Sequence, residues 1–316
     1  MNVIGKKVLV TGGAGFVPSH VVDAFVAAGA KVTALDNFSA GKLANLEHLG
    51  ADVEIIDMDI RDRRIPKLVR QQDIVIHMAA NADVAMSVRD PDFDFQNNVI
   101  GSYNILKSCL DSNLEKIVFA SSAAVYGEPQ YIPIDEKHRT NPRSPYGASK
   151  LAIERLGIAY HETFGLPFTA IRIFNTYGIR QPRYVMYDLL RKLYRDPTKL
   201  EVLGTGEQIR DYSYATDTAE CFLLVAQHDN TSGEVYNVAG GNPIRIKDLT
   251  QHLISILGLT KVEVIFTGNS WPGDITTLVA DIAKAKGQLG FKPRVSIEDG
   301  INLLNEWLKL KDKFKS

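Results

Sequence analysis

Tyr146 and Lys150 stand four residues apart in "SPYGASKLAIE", a segment whose apolar residues recur at helical spacing. On a helix that interval places both side chains on one face, about a turn apart. An ammonium beside a phenol favours the phenolate and lowers the tyrosine pKa. A tyrosine so placed can take up or give a proton near neutral pH. Upstream, the strand-like run leading into "FASSAAVYG" carries Ser122 to a strand end, where its hydroxyl could hold a substrate oxygen against that phenol. A tyrosine and a lysine at this interval also occur on ordinary surface helices. The serine on the preceding strand end and a glycine-rich loop further upstream favour the catalytic reading.

That loop is "TGGAGFVPSH", Thr11 to His20. It follows the strand-like "KVLVT" and precedes an amphipathic segment, the setting in which such a turn binds a dinucleotide. Gly12 permits the sharp turn, and Gly15 lets the backbone approach a pyrophosphate held by amides at the helix N-terminus. Pro18 stands where a third glycine is usual. It should fall in the first helical turn, where its missing N–H has no intrahelical partner, so the donors of Phe16 and Val17 remain. The next strand-like run, "KVTALD", ends in Asp36, 21 residues beyond Gly15. A carboxylate there can accept hydrogen bonds from the adenosine ribose and repels a 2′-phosphate, so NAD is expected rather than NADP.

These groups need a scaffold. The runs "KVLVT", "KVTALD", "VEIIDMD", "DIVIHMAA", "KIVFASS" and "FTAIRIF" alternate with helical patterns such as "HVVDAFVAAG" and "LAIERLGIAYHETF". Near-continuous apolar strands alternating with helices predict an α/β fold, a Rossmann-type doubly wound parallel sheet covered on both faces. Ligands of such sheets bind beyond the carboxyl ends of the strands. After about Asn175 the pattern loosens into shorter strands ("LEVLG", "EVYNVAG", "VEVIF"), helices and Pro/Gly-bearing loops. The expected organisation is an NAD-binding Rossmann domain over 1–175 and a smaller α/β substrate lobe over 176–316, with the chain crossing between them.

Of the 316 residues, 45% are hydrophobic and 23% charged, with a formal net charge of −1. That balance offers no electrostatic footprint for nucleic acid or an anionic membrane. No apolar run approaches the length of a membrane span, and the N-terminus lacks the apolar core of a signal peptide. Cys109 and Cys221 lie in apolar helical patterns and read as buried thiols in a reducing compartment. The seven histidines never pair at metal-ligand spacing. A cytoplasmic protein with no metal site is expected.

Ten motifs run in order along the chain: "TGGAGFVPSH", "DNFSAGK", "DMDIRD", "HMAANADV", "NNVIGSYNIL", "SSAAVYGEP", "SPYGASK", "RIFNTYG", "GEQIRDYSYATD" and "PGDITTLVADIAKAK". Through them the chain resembles the extended short-chain dehydrogenase/reductases, in the group of nucleotide-sugar epimerases and dehydratases of the UDP-galactose 4-epimerase type. The resemblance implies Tyr146 as acid/base, Lys150 as its electrostatic partner and nicotinamide-ribose ligand, and Ser122 as ligand of a substrate hydroxyl. Gly12, Gly15, Phe16, Val17, Asp36 and Asn37 join the cofactor set, with Asp59 and Ile60 at the adenine. Ala79 and Ala80 would line the cofactor cleft, Asn98 support it, and Phe174 lie against the nicotinamide. Asn175 and Arg210 would grip the substrate's diphosphate, with Asp274 near the nucleotide. Asn98 could equally only tie backbone together, and Arg210–Asp211 could be only a local ion pair.

The 4,6-dehydratases of this family usually carry an Asp-Glu pair directly after the hydroxyl residue of the catalytic strand. Here Ala123 and Ala124 occupy those positions and cannot titrate. What remains is hydride transfer from the sugar C4 to NAD and back, which gives the C4 epimer if the 4-keto sugar turns in between. Two other readings stand beside the epimerase. One is an NAD-dependent nucleotide-sugar dehydrogenase, reductase or dehydratase using the same 4-keto chemistry; the other is a non-catalytic NAD-binding sensor or scaffold. The late motif departs from the family, since "WPGD" puts Trp271 where a phosphate-binding arginine is frequent. Arg210, Arg180 and Arg183 are the candidates to compensate. Finally, Ile100, Ile105, Leu106, Ile153, Leu156 and Ile158 give two helices apolar residues on more than one face. The family commonly pairs these helices across a two-fold axis, so an isologous homodimer is expected.

Overall fold

The computed structural model describes residues 2–268 and 275–313, so Trp271 and Asp274 lie outside the described residues. Each of the six apolar runs forms a strand. They are β1 (Lys7–Thr11), β2 (Lys31–Asp36), β3 (Val53–Asp57), β4 (Ile74–His77), β5 (Lys116–Ser122) and β6 (Phe168–Ile173). Then follow β7 (Asn175–Tyr177), β8 (Lys199–Val202), β9 (Ile209–Tyr214), β10 (Val235–Val238), β11 (Pro243–Arg245), β12 (Glu263–Phe266) and β13 (Thr277–Leu278). Between the first strands lie α1 (Phe16–Ala27), α2 (Ile65–Val69), α3 (Val84–Arg89), α4 (Pro91–Asp94), α5 (Ser102–Leu110) and α6 (Pro145–Phe164). The later helices are α7 (Val185–Arg195), α8 (Ala215–Gln227), α9 (Ile246–Ile256), α10 (Ala283–Leu289) and α11 (Ile297–Lys313).

The main sheet has seven parallel strands in the order β10-β6-β5-β4-β1-β2-β3. Strand order reverses at β1, between β2 and β4, so the crevice for a ligand opens beyond the carboxyl ends of β1 and β4. Alternate residues serve opposite faces, as the two-residue period of a strand requires. Val8 and Val10 join Phe25 and Phe222 on one side, while Leu9 and Val75 join Ile105 and Ile153 on the other. A third core, with Leu189, Leu193, Leu249 and Leu304, lies in the second lobe. There β11, β9 and β13 form one small sheet, with β7 also paired to β9, and β8 pairs with β12.

Two expectations are corrected. The loosened pattern after Asn175 puts "EVYNVAG" in the second lobe, but its strand β10 is the edge of the main sheet, pairing Val235 with Ala170 and Val238 with Ile173. Helix α8 likewise packs with the main sheet, Phe222 and Val225 sharing a core with Phe25 of α1. A short run buried on both faces carries no mark of which sheet it joins. The second correction concerns surplus apolar surface. Ile105, Leu106 and Ile153 are fully buried within the chain's own core, and Leu156 and Ile158 are partly so. Ile100 is 40% exposed, beside Phe95 at 50% and Tyr103 at 41%.

Local signals explain the two helices that matter most. In α1, Gly15 is the N-cap and Pro18 sits in the first turn, while the Ser19 amide begins the ladder on the Gly15 carbonyl at 3.1 Å. In α6, Ser144 caps the helix by accepting the Gly147 amide at 3.1 Å, Pro145 opens it, and Gly165 closes it in the left-handed conformation. Among the described residues no helix is long and apolar enough to cross a membrane. Cys109 and Cys221 are free and buried, and burial pushes both thiols up.

Candidate active site

A cleft of about 1570 Å³ begins at the glycine loop and passes Asp36, Asp59 and Ala79–Ala80. It continues past Ser122, Tyr146 and Lys150 to Arg210 and Leu278 in the second lobe. At its head, Gly12 has φ +71° and a Cβ there would lie 2.9 Å from the Ala79 Cα. A Cβ on Gly13 would lie 2.8 Å from that of Ala34, so this glycine gives the close approach to β2. The amides of Phe16 and Val17 open α1, where the first turn leaves N–H groups without intrahelical acceptors. The loop keeps its anion-binding geometry with the proline in place.

Asp36 is buried and accepts the Ala14 amide at 3.0 Å and the Phe38 amide at 2.7 Å, one on each oxygen. Each oxygen retains a further lone pair for a ribose hydroxyl. Burial raises its pKa. Asn37 donates to Asp59 at 2.8 Å, and the Arg61 side chain holds Asp59 down at about 2. Asn37, Asp59 and Ile60 line the same end of the cleft.

The floor at Ala79 depends on residues that the sequence did not mark. The Thr11 hydroxyl accepts the Met78 and Ala79 amides, each at 3.1 Å, and is hydrogen-bonded to His77 Nδ1 at 2.7 Å. His77 is buried, and desolvation pushes it down to about 3. Asn98 is buried and does not line the cleft. It accepts the Asn81 amide at 2.7 Å and donates to the Asn81 carbonyl at 2.9 Å, which ties backbone together.

At the centre, Ser122 and Tyr146 line the cleft together, close enough for the serine to favour the phenolate, and Ser122 also accepts the Ala124 amide at 3.2 Å. Lys150 donates to the Ala120 carbonyl at 2.9 Å, with its nitrogen 5.9 Å from the Tyr146 ring centre. The expectation that Lys150 lowers the tyrosine is therefore corrected. Desolvation dominates, pushing Tyr146 up to about 12; nearby Ser122 opposes this, and Tyr184 and Asp94 add to it. Burial also pulls Lys150 down to about 8.

Phe174, Asn175 and Arg210 all line the cleft. Asp211 turns away to accept the Gly241 amide at 2.8 Å. Of the compensating arginines, Arg180 does not face the cleft; it reaches α1, donating to Asp23 at 2.7 Å and Ser19 at 3.2 Å. Arg183 does line it, paired with Asp83 at 2.7 Å. With Arg183 42% exposed, such a pair contributes about 0–1 kcal/mol and is made and broken cheaply. Arg191 and Arg195, a turn apart on α7, also line the cleft, and their spacing alone gave no hint of it.

The model of the family described as GDP-mannose 4,6 dehydratase matches residues 9–304. A putative UDP-glucose 4-epimerase of Methanocaldococcus jannaschii is 35% identical over 96% of this chain and 98% of its own. The UDP-N-acetylglucosamine 4-epimerase of Methanobrevibacter ruminantium, solved with UDP-N-acetylmuramic acid, superposes with a TM-score of 0.90 at 33% identity. That match covers 98% of this chain and 99% of the other. The UDP-glucuronic acid 4-epimerase of Bacillus cereus, solved with UDP-glucuronic acid and NAD, gives 0.90 at 31% identity, covering 96% and 99%. With its seven-stranded parallel sheet and a serine, tyrosine and lysine gathered in one cleft, the chain belongs to the nucleotide-sugar epimerase and dehydratase family of extended short-chain dehydrogenase/reductases.

Proposed function

We infer that the protein is an NAD-dependent nucleotide-sugar 4-epimerase. The observation that carries this reading is the gathering of Ser122, Tyr146 and Lys150 midway along a cleft that begins at the glycine loop and ends at Arg210. The residues fit the dinucleotide: the Gly12 cradle has no room for a Cβ, and Asp36 keeps acceptor capacity. Gly12, Gly15, Phe16 and Val17 would hold the diphosphate, and Asp36, Asn37, Asp59 and Ile60 the adenosine. Ala79, Ala80, Lys150 and Phe174 would face the nicotinamide half. When bound, NAD supplies the acceptor and then the donor of the hydride.

The chain's own residues manage the proton. Ser122 holds the sugar C4 oxygen against Tyr146, which takes the hydroxyl proton as the carbonyl forms and returns it as the carbonyl is reduced. Lys150, anchored on Ala120, would hold the nicotinamide ribose beside the phenol. Ala123 and Ala124 offer no group to remove a proton or deliver one to a leaving hydroxyl, which supports epimerisation over dehydration. Asn175 and Arg210 would hold the substrate's diphosphate, with the cofactor half over 1–175 and the substrate half over 176–316. Exposed Phe95, Ile100 and Tyr103 support a homodimer through that face, and the free buried thiols support a cytoplasmic home.

The test incubates purified protein with UDP-glucose, UDP-galactose, UDP-N-acetylglucosamine and UDP-glucuronic acid, following sugar identity and NADH absorbance together. Epimer formation without net NADH is the expected result. Steady NADH release would make the protein a dehydrogenase, and no conversion of any sugar would overturn the enzymatic reading.

A further inference from the structure

The segment from Gly178 to Tyr184 borders the cleft through Gln181, Pro182, Arg183 and Tyr184 and is tied down on both sides. Arg180 fastens it to Asp23 and Ser19 of α1. Three residues on, Arg183 donates to Asp83 at 2.7 Å, and the next residue's hydroxyl, that of Tyr184, donates to the Ala82 carbonyl at 3.1 Å. Arg180 at φ +66° and Tyr184 at φ +82° are both left-handed without being glycine. Such conformations persist only where the surroundings hold them, and they gather at functional sites. The Arg183 guanidinium lies over the Tyr184 ring, 5.1 Å from its centre, so clasp and ring form one unit.

That unit lands on machinery already described. Asp83 also caps α3 by accepting the Met86 amide at 2.9 Å. On the same short helix, buried Ser87 accepts the backbone N–H of Tyr146 at 3.1 Å. Tyr184 itself lines the cleft, near enough for its hydroxyl to disfavour the Tyr146 phenolate.

We propose that Tyr184 is a substrate-positioning residue whose ring roofs the hexose subsite opposite Ser122 and Tyr146, held there by the Arg183–Asp83 clasp. This rests on the epimerase reading. A 4-epimerase must let its keto sugar turn while keeping it from leaving. An aromatic wall offers a rigid apolar face to the C–H side of a pyranose without adding a charge or a competing acid. The weak, half-exposed clasp allows that wall to lift for entry and exit.

The test uses the full-length enzyme with NAD and whichever nucleotide hexose the wild type epimerises. Tyr184→Phe keeps the ring and should retain most activity. Tyr184→Ala should lose about tenfold to a hundredfold in kcat/KM. In that variant keto sugar should escape, leaving NADH to accumulate during turnover. Arg183→Met should shift both readouts in the same direction by less. Wild-type kinetics in Tyr184→Ala with no NADH build-up would overturn the proposal. So would a loss matched by equal losses in NAD affinity and melting temperature, the mark of a merely structural residue. A wild type inert on every nucleotide hexose would instead overturn the epimerase reading, and the proposal with it.

Discussion

The Ser121 hydroxyl donates to the Glu154 carboxylate at 2.7 Å, joining the strand that carries Ser122 to the helix that carries Tyr146 and Lys150. The same carboxylate accepts Arg172 Nε at 3.0 Å, with Arg172 and Glu154 side chains 2% and 0% exposed. Removing one partner of such a pair leaves a buried charge without its counterion. Glu154→Ala should therefore destabilise the fold by about 3–5 kcal/mol in urea denaturation. A loss below about 1 kcal/mol would mean that Tyr126 and the Glu136 carbonyl, which also receive Arg172, suffice to hold it.

Tyr146→Phe removes one hydroxyl and should leave folding and NAD binding intact. Turnover should fall by roughly 10²–10⁴-fold, the usual contribution of a general acid/base. Near-normal turnover in stopped assays with the active sugar would remove Tyr146 from the chemistry.

Acid should unfold the protein partly through two buried imidazoles. Burial pushes His77 down to about 3 and His20 to about 4, from the ordinary 6.5. Below 6.5 the unfolded chain binds protons that the native state refuses. Stability from this source is thus complete above 6.5 and drains as pH falls toward 4 and then 3. Melting temperatures across that window should fall less steeply in His77→Gln than in wild type. Parallel slopes would show that His77 does not take part.

Cofactor choice should follow Asp36. Its carboxylate, fixed by the Ala14 and Phe38 amides, leaves a 2′-phosphate facing a negative charge. Competitive titration of the apoprotein should show clear preference for NAD. Equal affinity for NADP would mean that Asp36 does not face the ribose.

Pro18 sits in the first turn of α1, where an amide has no intrahelical acceptor. Pro18→Gly should leave NAD affinity nearly unchanged and lower stability by about 0.4–1 kcal/mol through the entropy of the unfolded chain. A large gain in NAD affinity by calorimetry would show that the proline distorts the loop.

The main sheet was legible because its strands are apolar on both faces and separated by helical spacing, so β1 to β6 fall on the runs that predict them. The meeting of Ser122, Tyr146 and Lys150 in one cleft was legible because Tyr146 and Lys150 share a helix and Ser122 ends a strand. The electrostatics were not. Spacing places Lys150 near Tyr146, but only the fold shows its ammonium committed to Ala120 and desolvation in control. His77, Ser87, Glu154 and Tyr184 were invisible for a related reason. Each acts through a partner far away in sequence, and no local pattern records such a pairing. Arg180 misled because its charge is answered by α1 rather than by the cleft.

The return of β10 to the edge of the main sheet has a consequence for how this chain can be cut and recombined. A polypeptide ending near Asn175 would leave β6 with an unpaired row of amides and carbonyls, a template for edge-to-edge aggregation. It would also strip α1 of the helix, α8, that covers Phe25. The halves are interleaved, so exchanging second lobes between relatives by a single crossover should yield insoluble chimeras. Grafts that keep residues 215–238 with the parent sheet and replace only the segments around them are the ones that preserve a closed core.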